Sequence, residues 1–176
     1  MRLALAAVCL IGCGSHRGDR CTDYMTITNG AFVRIGPKLK WTLEVVAIPP
    51  ELTFNRAAVP DGVVEYLWAI DLDPDQDGHR DWQVAVSHFK GAAGAEVTTG
   101  DLLSETQEEL LAVEGAVSTV TGSVDVTLVN STFTLLLDES AGPDLPGVIN
   151  PAQSSWTTLE RFGATTDDQC EDRFAP

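Results

Sequence analysis

Residues 66–86 read YLWAIDLDPDQDGHRDWQVAV, an acidic loop between two apolar runs. Apolar side chains occupy every second position on both sides of the loop, at Tyr66, Trp68, Ile70, Trp82, Val84 and Val86. A period of two is the pattern of a β-strand with one buried face. The stretch therefore predicts two strands joined by a loop that is rich in aspartate.

The same alternation recurs at Trp41–Val45, Val124–Leu128 and Phe133–Leu137. Breaks such as IPPEL, VPDG and SAGPDLPG separate the runs and are typical of turns. Many short strands in a chain of 176 residues favour a single domain and disfavour a parallel α/β fold. We therefore predict an all-β fold, an antiparallel two-sheet β-sandwich of the jelly-roll or immunoglobulin-like type.

One segment, DLLSETQEELLAVE at residues 101–114, departs from this alternation. Its leucines fall near helical spacing, with Glu and Gln between them. The pattern predicts a short helix over residues 101–112, on the rim of the sheet. A solvated loop that leads into a strand near Val113 is the alternative.

The composition is strongly acidic, with 26 acidic against 11 basic residues and a formal charge of −15. Such a surface repels nucleic-acid phosphates and anionic lipid headgroups. We therefore predict no nucleic-acid partner, and no membrane contact except through a covalent lipid. The excess of carboxylates suits either simple solubility or the binding of cations.

The amino-terminal segment MRLALAAVCLIGC has a basic residue, an apolar run and small residues before Cys13. It is too short to span a bilayer, so it predicts an export signal. Its last four residues, LIGC, resemble the lipobox of bacterial lipoproteins, which implies cleavage before Cys13 and lipidation of that residue. The expected organisation is a signal peptide over 1–12, a tether over 13–20 and one β-sandwich domain over 21–176. A plain secretory signal is the alternative.

Two cysteines, Cys21 and Cys170, remain once Cys9 of the signal and Cys13 are set aside. In an exported domain such a pair is most simply a disulfide bond. A redox or metal-binding thiol is disfavoured, because the sequence has no CxxC motif and no histidine beside either cysteine. On the chain-entropy account, a bond that closes so long a loop contributes roughly 4–5 kcal/mol.

The acidic loop has the spacing of a calcium loop, D-x-D-x-D-G-x-x-D. The matching residues are Asp73, Asp75, Asp77, Gly78 and Asp81, and His79 would offer its backbone carbonyl. Ca²⁺ takes about six to eight oxygen ligands, and alternate carboxylates on a curled loop converge on one point. An acidic hairpin turn without metal is the alternative, because Asp-Gly is also a common turn dipeptide.

The match to a helix–loop–helix calcium site is incomplete. The bidentate glutamate of the twelfth position falls on Val84, and both flanks have the pattern of strands. The site is therefore predicted at a strand–strand connection, where Ca²⁺ would act as a structural clamp. Asp71 is the first candidate for the missing ligand, and Asp172 near the carboxyl end is the second.

The stretch YLWAIDLDPDQDGHRDWQVAV resembles the strand–loop–strand element of secreted bacterial β-sandwich domains related to the DOMON and family 9 carbohydrate-binding modules. The tail Asp172–Pro176 is similar to the D-R-x-P-like ending of such domains. The strong overlap covers about 20 residues of the chain. The resemblance implies the sandwich fold. Because family members differ in binding sugars or haem, the fold carries over better than the function.

Catalysis finds little support in the sequence. The GxSxG, HExxH and P-loop motifs do not occur, and His88 alternates with Val86 as a sheet residue would. We expect a non-catalytic, calcium-stabilised binding module anchored in the bacterial cell envelope, in the outer membrane if the host is Gram-negative. A glycan or an envelope protein is its expected partner. A structural or assembly lipoprotein is the second hypothesis, and an envelope hydrolase with an unrecognised acidic site is the third.

The tryptophans distinguish the first two hypotheses. Trp41, Trp68 and Trp82 alternate with polar residues and are predicted to lie in the core. Trp156, in QSSWTTLERF, has the least regular surroundings, and we predict that it is exposed and stacks on a ligand. Four buried tryptophans would favour the structural hypothesis.

Overall fold

The computed structural model of the protein describes residues 23–49, 65–76, 78, 80–90, 96–104, 119–141, 154–161 and 169–174. These residues form ten strands and one 3₁₀ turn, Glu139–Ala141. The strands are β1 (Ile27–Ile35), β2 (Lys38–Val45), β3 (Glu65–Leu72), β4 (Trp82–Lys90), β5 (Glu96–Ser104), β6 (Thr119–Ser123), β7 (Asp125–Val129), β8 (Thr132–Asp138), β9 (Ser154–Arg161) and β10 (Gln169–Phe174). In this part of the chain, no helix has the length and apolar character needed to cross a membrane.

Two antiparallel sheets pack against each other, and this confirms the predicted all-β sandwich. One sheet has the order β1-β2-β8-β7, and the other has the order β10-β9-β3-β4-β5-β6. The acidic loop joins β3 to β4, two central strands of the larger sheet, which pair from Glu65 with Phe89 to Leu72 with Trp82. The loop is therefore fixed at one end of the sandwich by its most enclosed strands.

The core lies between the sheets and is built by the alternating apolar positions. The smaller sheet contributes Leu39, Trp41, Leu43, Val45, Phe133, Leu135 and Leu137, and the larger sheet contributes Tyr66, Trp68, Ile70, Leu72, Val84, Val86, Leu102, Trp156 and Phe174. Trp68 meets Phe133 across the sandwich, with ring centroids 4.6 Å apart. Burying each large side chain contributes roughly 1.5–3 kcal/mol, so this interface dominates the stability of the fold.

The predicted alternation is confirmed on β2, β3, β4 and β8, whose inward positions are buried. It is weaker on β7, where Leu128 is 39% exposed. The reason is position, because β7 is an edge strand of the smaller sheet and its inward face is only partly covered. Trp82, at the start of β4, is partly buried and packs against the core.

The predicted helix over residues 101–112 is wrong for its first turn. Residues 101–104 belong to β5, which pairs with β4 on one side and with β6 on the other. Pairing on both sides supplies hydrogen bonds for the backbone, and Leu102 is fully buried while Leu103 is half-buried. Sheet context therefore overrides the leucine spacing. Residues 105–112 lie outside the described residues.

Several other predictions fall on parts of the chain that are not described. The signal peptide over 1–12, Cys13, the tether and Cys21 all lie before residue 23. The division of the chain into signal, tether and one domain therefore stays a prediction.

Candidate metal centre

The acidic loop leaves β3 after Leu72 and closes tightly onto β4. The Asp81 backbone N–H donates a hydrogen bond to the Leu72 carbonyl oxygen at 2.9 Å, beside the last β3–β4 pair. Among the described residues between these points, Gln76 at φ 61° and Gly78 at φ 91° have left-handed backbone conformations. Glycine adopts this conformation at little cost, whereas glutamine adopts it only under constraint. The chain is thus curled into a short arc at the sheet end.

The curl is fixed by the first aspartate of the loop. The Gly78 backbone N–H donates a hydrogen bond to Asp73 Oδ2 at 3.0 Å. One oxygen of Asp73 therefore holds the loop, and its other oxygen, Oδ1, is buried and accepts no hydrogen bond from the described residues. A buried carboxylate oxygen without a donor is costly, so this atom marks a position suited to a cation.

Three carboxylates of the loop lie close together. Asp73, Asp75 and Asp81 each offer one oxygen, and these oxygens lie within 4.8 Å of one another. Ligands at about 2.3–2.6 Å from a calcium ion are separated by at most about 5 Å, so one ion can reach all three. Asp73 and Asp81 are half-buried and Asp75 is exposed, so the cluster is open to solvent on one side. The donor set consists of hard oxygens, which suits Ca²⁺ better than a softer metal.

Asp71 does not join this group, so the structure does not bring the first candidate for the missing ligand to the cluster, and its ligand role stays a prediction. Its Oδ1 accepts hydrogen bonds from Arg80 Nη1 at 3.0 Å and Gln83 Nε2 at 2.8 Å. Its Oδ2 accepts one from the Thr157 hydroxyl at 2.6 Å. Asp71 still belongs to the strand and lies opposite Gln83, on the outer face of the sheet. The three carboxylates lie beyond the strand end, where the chain has turned away.

Asp172 is also engaged elsewhere, so the structure does not bring the second candidate for the missing ligand to the cluster either. Its side chain is buried at 4% exposure, and Oδ2 accepts a hydrogen bond from the Ile27 backbone N–H at 2.8 Å. Its Oδ1 accepts one from the Arg173 N–H at 3.0 Å. Asp172 therefore ties β10 to the beginning of β1, where the edges of the two sheets meet.

The remaining predicted positions of the metal site and of the disulfide are only partly described. Asp77 and His79 lie outside the described residues. Cys170 lies on β10, where its backbone pairs with Glu160, but Cys21 is outside the described ranges. The disulfide and the ligand roles of Asp77 and His79 therefore stay predictions.

Trp156 is in the core, so the prediction of an exposed stacking residue is wrong. It is 1% exposed, and its indole N–H donates a hydrogen bond to the Thr42 carbonyl oxygen at 2.9 Å. Its ring meets Phe174 edge-on, with centroids 5.9 Å apart. Gly30 of β1 lies against the ring so closely that a Cβ there would stand 2.7 Å from it. The smaller sheet covers this tryptophan, and the residues next to it in the sequence do not indicate that it is buried.

His88 is a sheet residue, as its alternation with Val86 predicts, and it is buried. It is 5% exposed, its Nδ1 lies 2.8 Å from the Thr98 hydroxyl, and its ring stacks on Tyr66. The sequence interpretation missed a different group, the hydrogen bonds that Arg80, Gln83 and Thr157 make to Asp71. The one available signal was Arg80, a single cation inside a run of aspartates.

The fold and the acidic loop define an antiparallel β-sandwich with a candidate cation site at one end of its larger sheet. No protein-family model, curated protein or solved structure matches the chain. The likeness to DOMON and family 9 carbohydrate-binding modules therefore stays a prediction from the sequence.

Proposed function

We propose that the protein is a calcium-stabilised β-sandwich domain of the bacterial envelope, carried on a lipid at Cys13, with a structural or assembly role. The observation that carries the calcium part is the Asp73 carboxylate, whose buried Oδ1 accepts no hydrogen bond from the described residues and which lies in a cluster with the carboxylates of Asp75 and Asp81. The lipid part rests on the LIGC sequence at the end of the apolar run.

Burial of the tryptophans favours the structural hypothesis over a sugar-binding module. Trp41, Trp68 and Trp156 are each at most 1% exposed, and Trp82 packs against the core. Sugar recognition through an exposed aromatic platform needs a ring that is free on one face. The carbohydrate hypothesis depended on Trp156, and this residue is packed in the core.

Calcium binding is tested by thermal unfolding of the full-length protein in detergent, with calcium or with a chelator. Calcium in hundredfold excess over its dissociation constant should stabilise the fold by roughly 2.7 kcal/mol, because it binds only the folded loop. Asp75→Asn should remove most of this difference. Asp125→Asn is the matched control, because Asp125 is an exposed aspartate on β7, in the other sheet.

Magnesium should substitute poorly, because it requires a tighter octahedral shell than an open cluster offers. Calorimetric titration with calcium provides the independent measurement. If calcium produces neither heat nor a thermal shift in the wild type, the loop is an acidic turn and the calcium proposal is wrong.

Lipidation is tested by mass spectrometry of the mature amino terminus from membrane fractions. An acylated Cys13 at the first position is the expected result, and Cys13→Ala should release the protein from the membrane. Cys9→Ala is the matched control, because Cys9 would leave with the signal. A mature terminus downstream of Cys13 would exclude the lipid anchor.

A further inference from the structure

A cavity of about 170 Å³ opens on the outer face of the larger sheet, beside the acidic loop. Its apolar part is formed by Leu67 and Leu159, which are direct partners on β3 and β9. Its polar floor is formed by Gln83 and Thr157, each only 5% exposed. The cavity therefore combines an aliphatic surface with buried hydrogen-bonding groups, as small-molecule sites do.

The charge of the floor is already balanced. Asp71 lines the cavity, and its carboxylate receives hydrogen bonds from Arg80, Gln83 and Thr157. The Asp71 side chain is only 13% exposed, so its carboxylate is largely shielded from water, whereas the Arg80 side chain is 32% exposed. A ligand that enters the cavity consequently meets a neutral floor, which neither attracts nor repels a net charge.

The rim, in contrast, carries an exposed ion pair with unused atoms. Arg173 Nε donates to Glu171 Oε1, and the two side chains are 67% and 33% exposed. Within the described part of the chain, no hydrogen bond uses the two terminal nitrogens of Arg173 or the second oxygen of Glu171. An exposed pair of this kind contributes little to stability, so both groups can turn to a ligand at small cost.

From this arrangement we infer that the cavity binds a small zwitterion, of which a free aliphatic α-amino acid is the simplest case. The planar fork of Arg173 suits a carboxylate, and the open oxygen of Glu171 suits an ammonium group. Leu67 and Leu159 would cover the aliphatic side chain. This inference goes beyond the proposed function and does not depend on calcium.

A zwitterion fits the rim better than a singly charged ligand does. A simple carboxylate would draw Arg173 away and leave Glu171 without its partner. A simple amine would do the reverse and leave Arg173 without its partner. Only a ligand with both charges replaces the ion pair and preserves the charge balance of the rim, while its aliphatic part occupies the space between the leucines.

The test is calorimetric titration of the full-length protein in detergent with L-leucine, at neutral pH and with calcium present. Two analogues isolate the charges, because 3-methylbutan-1-amine lacks the carboxylate and 4-methylpentanoate lacks the ammonium group. Leucine should bind with a dissociation constant of about 1 mM or tighter. Each analogue should bind at least about tenfold more weakly, because each loses one charge-assisted contact.

Variants of the rim provide the second arm. Arg173→Gln and Glu171→Gln should each weaken leucine binding about tenfold or more, with an unchanged circular dichroism spectrum and melting temperature. Arg34→Gln is the matched control, because Arg34 lies on β1 of the other sheet and forms a comparable exposed pair with Glu139. It should bind leucine as the wild type does.

Three results would overturn the inference. The first is the absence of leucine binding at tens of millimolar, and the second is equal binding of leucine and either analogue. The third is leucine binding that survives both rim substitutions, or that is lost equally in Arg34→Gln. Because none of these readouts uses calcium affinity, failure here is distinct from failure of the proposed metal site.

Discussion

Replacing Asp73 by asparagine keeps the shape of the side chain and removes one of the three negative charges of the cluster formed by Asp73, Asp75 and Asp81. The oxygens of Asp73, Asp75 and Asp81 lie within 4.8 Å of one another. Two unit charges at that separation repel by about 1 kcal/mol in water and by about 3 kcal/mol at an effective dielectric constant of about 20. The substitution also removes the charge from a buried oxygen, Oδ1, to which none of the described residues donates a hydrogen bond.

The difference in the free energy of unfolding between Asp73→Asn and the wild type should therefore have opposite signs without calcium and with it. Because Asp75 is exposed, the lower end of the repulsion applies, and metal-free Asp73→Asn should be more stable than the wild type by about 1–2 kcal/mol. In excess calcium the wild type gains roughly 2.7 kcal/mol at a hundredfold excess, and the variant forfeits most of that gain. The free-energy difference should thus reverse when calcium is added.

Urea unfolding with calcium and with a chelator measures both differences on the same two proteins. The slope of the free energy against urea should be unchanged, because the substitution does not alter the surface exposed on unfolding. If Asp73→Asn destabilises the protein equally with and without calcium, Asp73 is only a turn residue held by Gly78, and the argument for a cation site fails.

Three further predictions concern contacts outside the metal site. Thr157→Val removes a hydrogen bond to the Asp71 carboxylate, so urea unfolding should show a free energy of unfolding that is lower by about 1.5–3 kcal/mol. Thr157→Ser keeps the hydroxyl and should retain most of this free energy. Gly30→Ala places a methyl group against the buried indole ring, so the melting temperature should fall by the equivalent of about 1–3 kcal/mol, and an unchanged value would contradict the packing. Ser140→Ala should raise the pKa of Asp138 towards its ordinary 3.8 in an NMR titration, because the hydrogen bond from the Ser140 hydroxyl lowers that pKa. The stability that this hydrogen bond contributes is lost as the pH falls through the lowered pKa of Asp138.

Much of the fold follows from the sequence, because alternation is a local property of each strand. The side chains that point inward on β2, β3, β4 and β8 are set by a period of two, whichever strands lie beside them. The acidic loop is equally local. Its aspartate spacing and Gly78 lie within nine residues, so the sequence could predict both its place between two strands and the cluster formed by Asp73, Asp75 and Asp81.

The tertiary structure decided which residues are covered and which become partners. Asp71 is held on the sheet, apart from the three clustered carboxylates, because Thr157, 86 positions away, lies beside it on the neighbouring strand. Trp156 is buried because β1 of the other sheet covers its ring, and residues 101–104 form a strand because β4 and β6 flank them. These outcomes depend on strand order. Strand order arises from the packing of distant segments, and alternation within one segment carries no information about its neighbours.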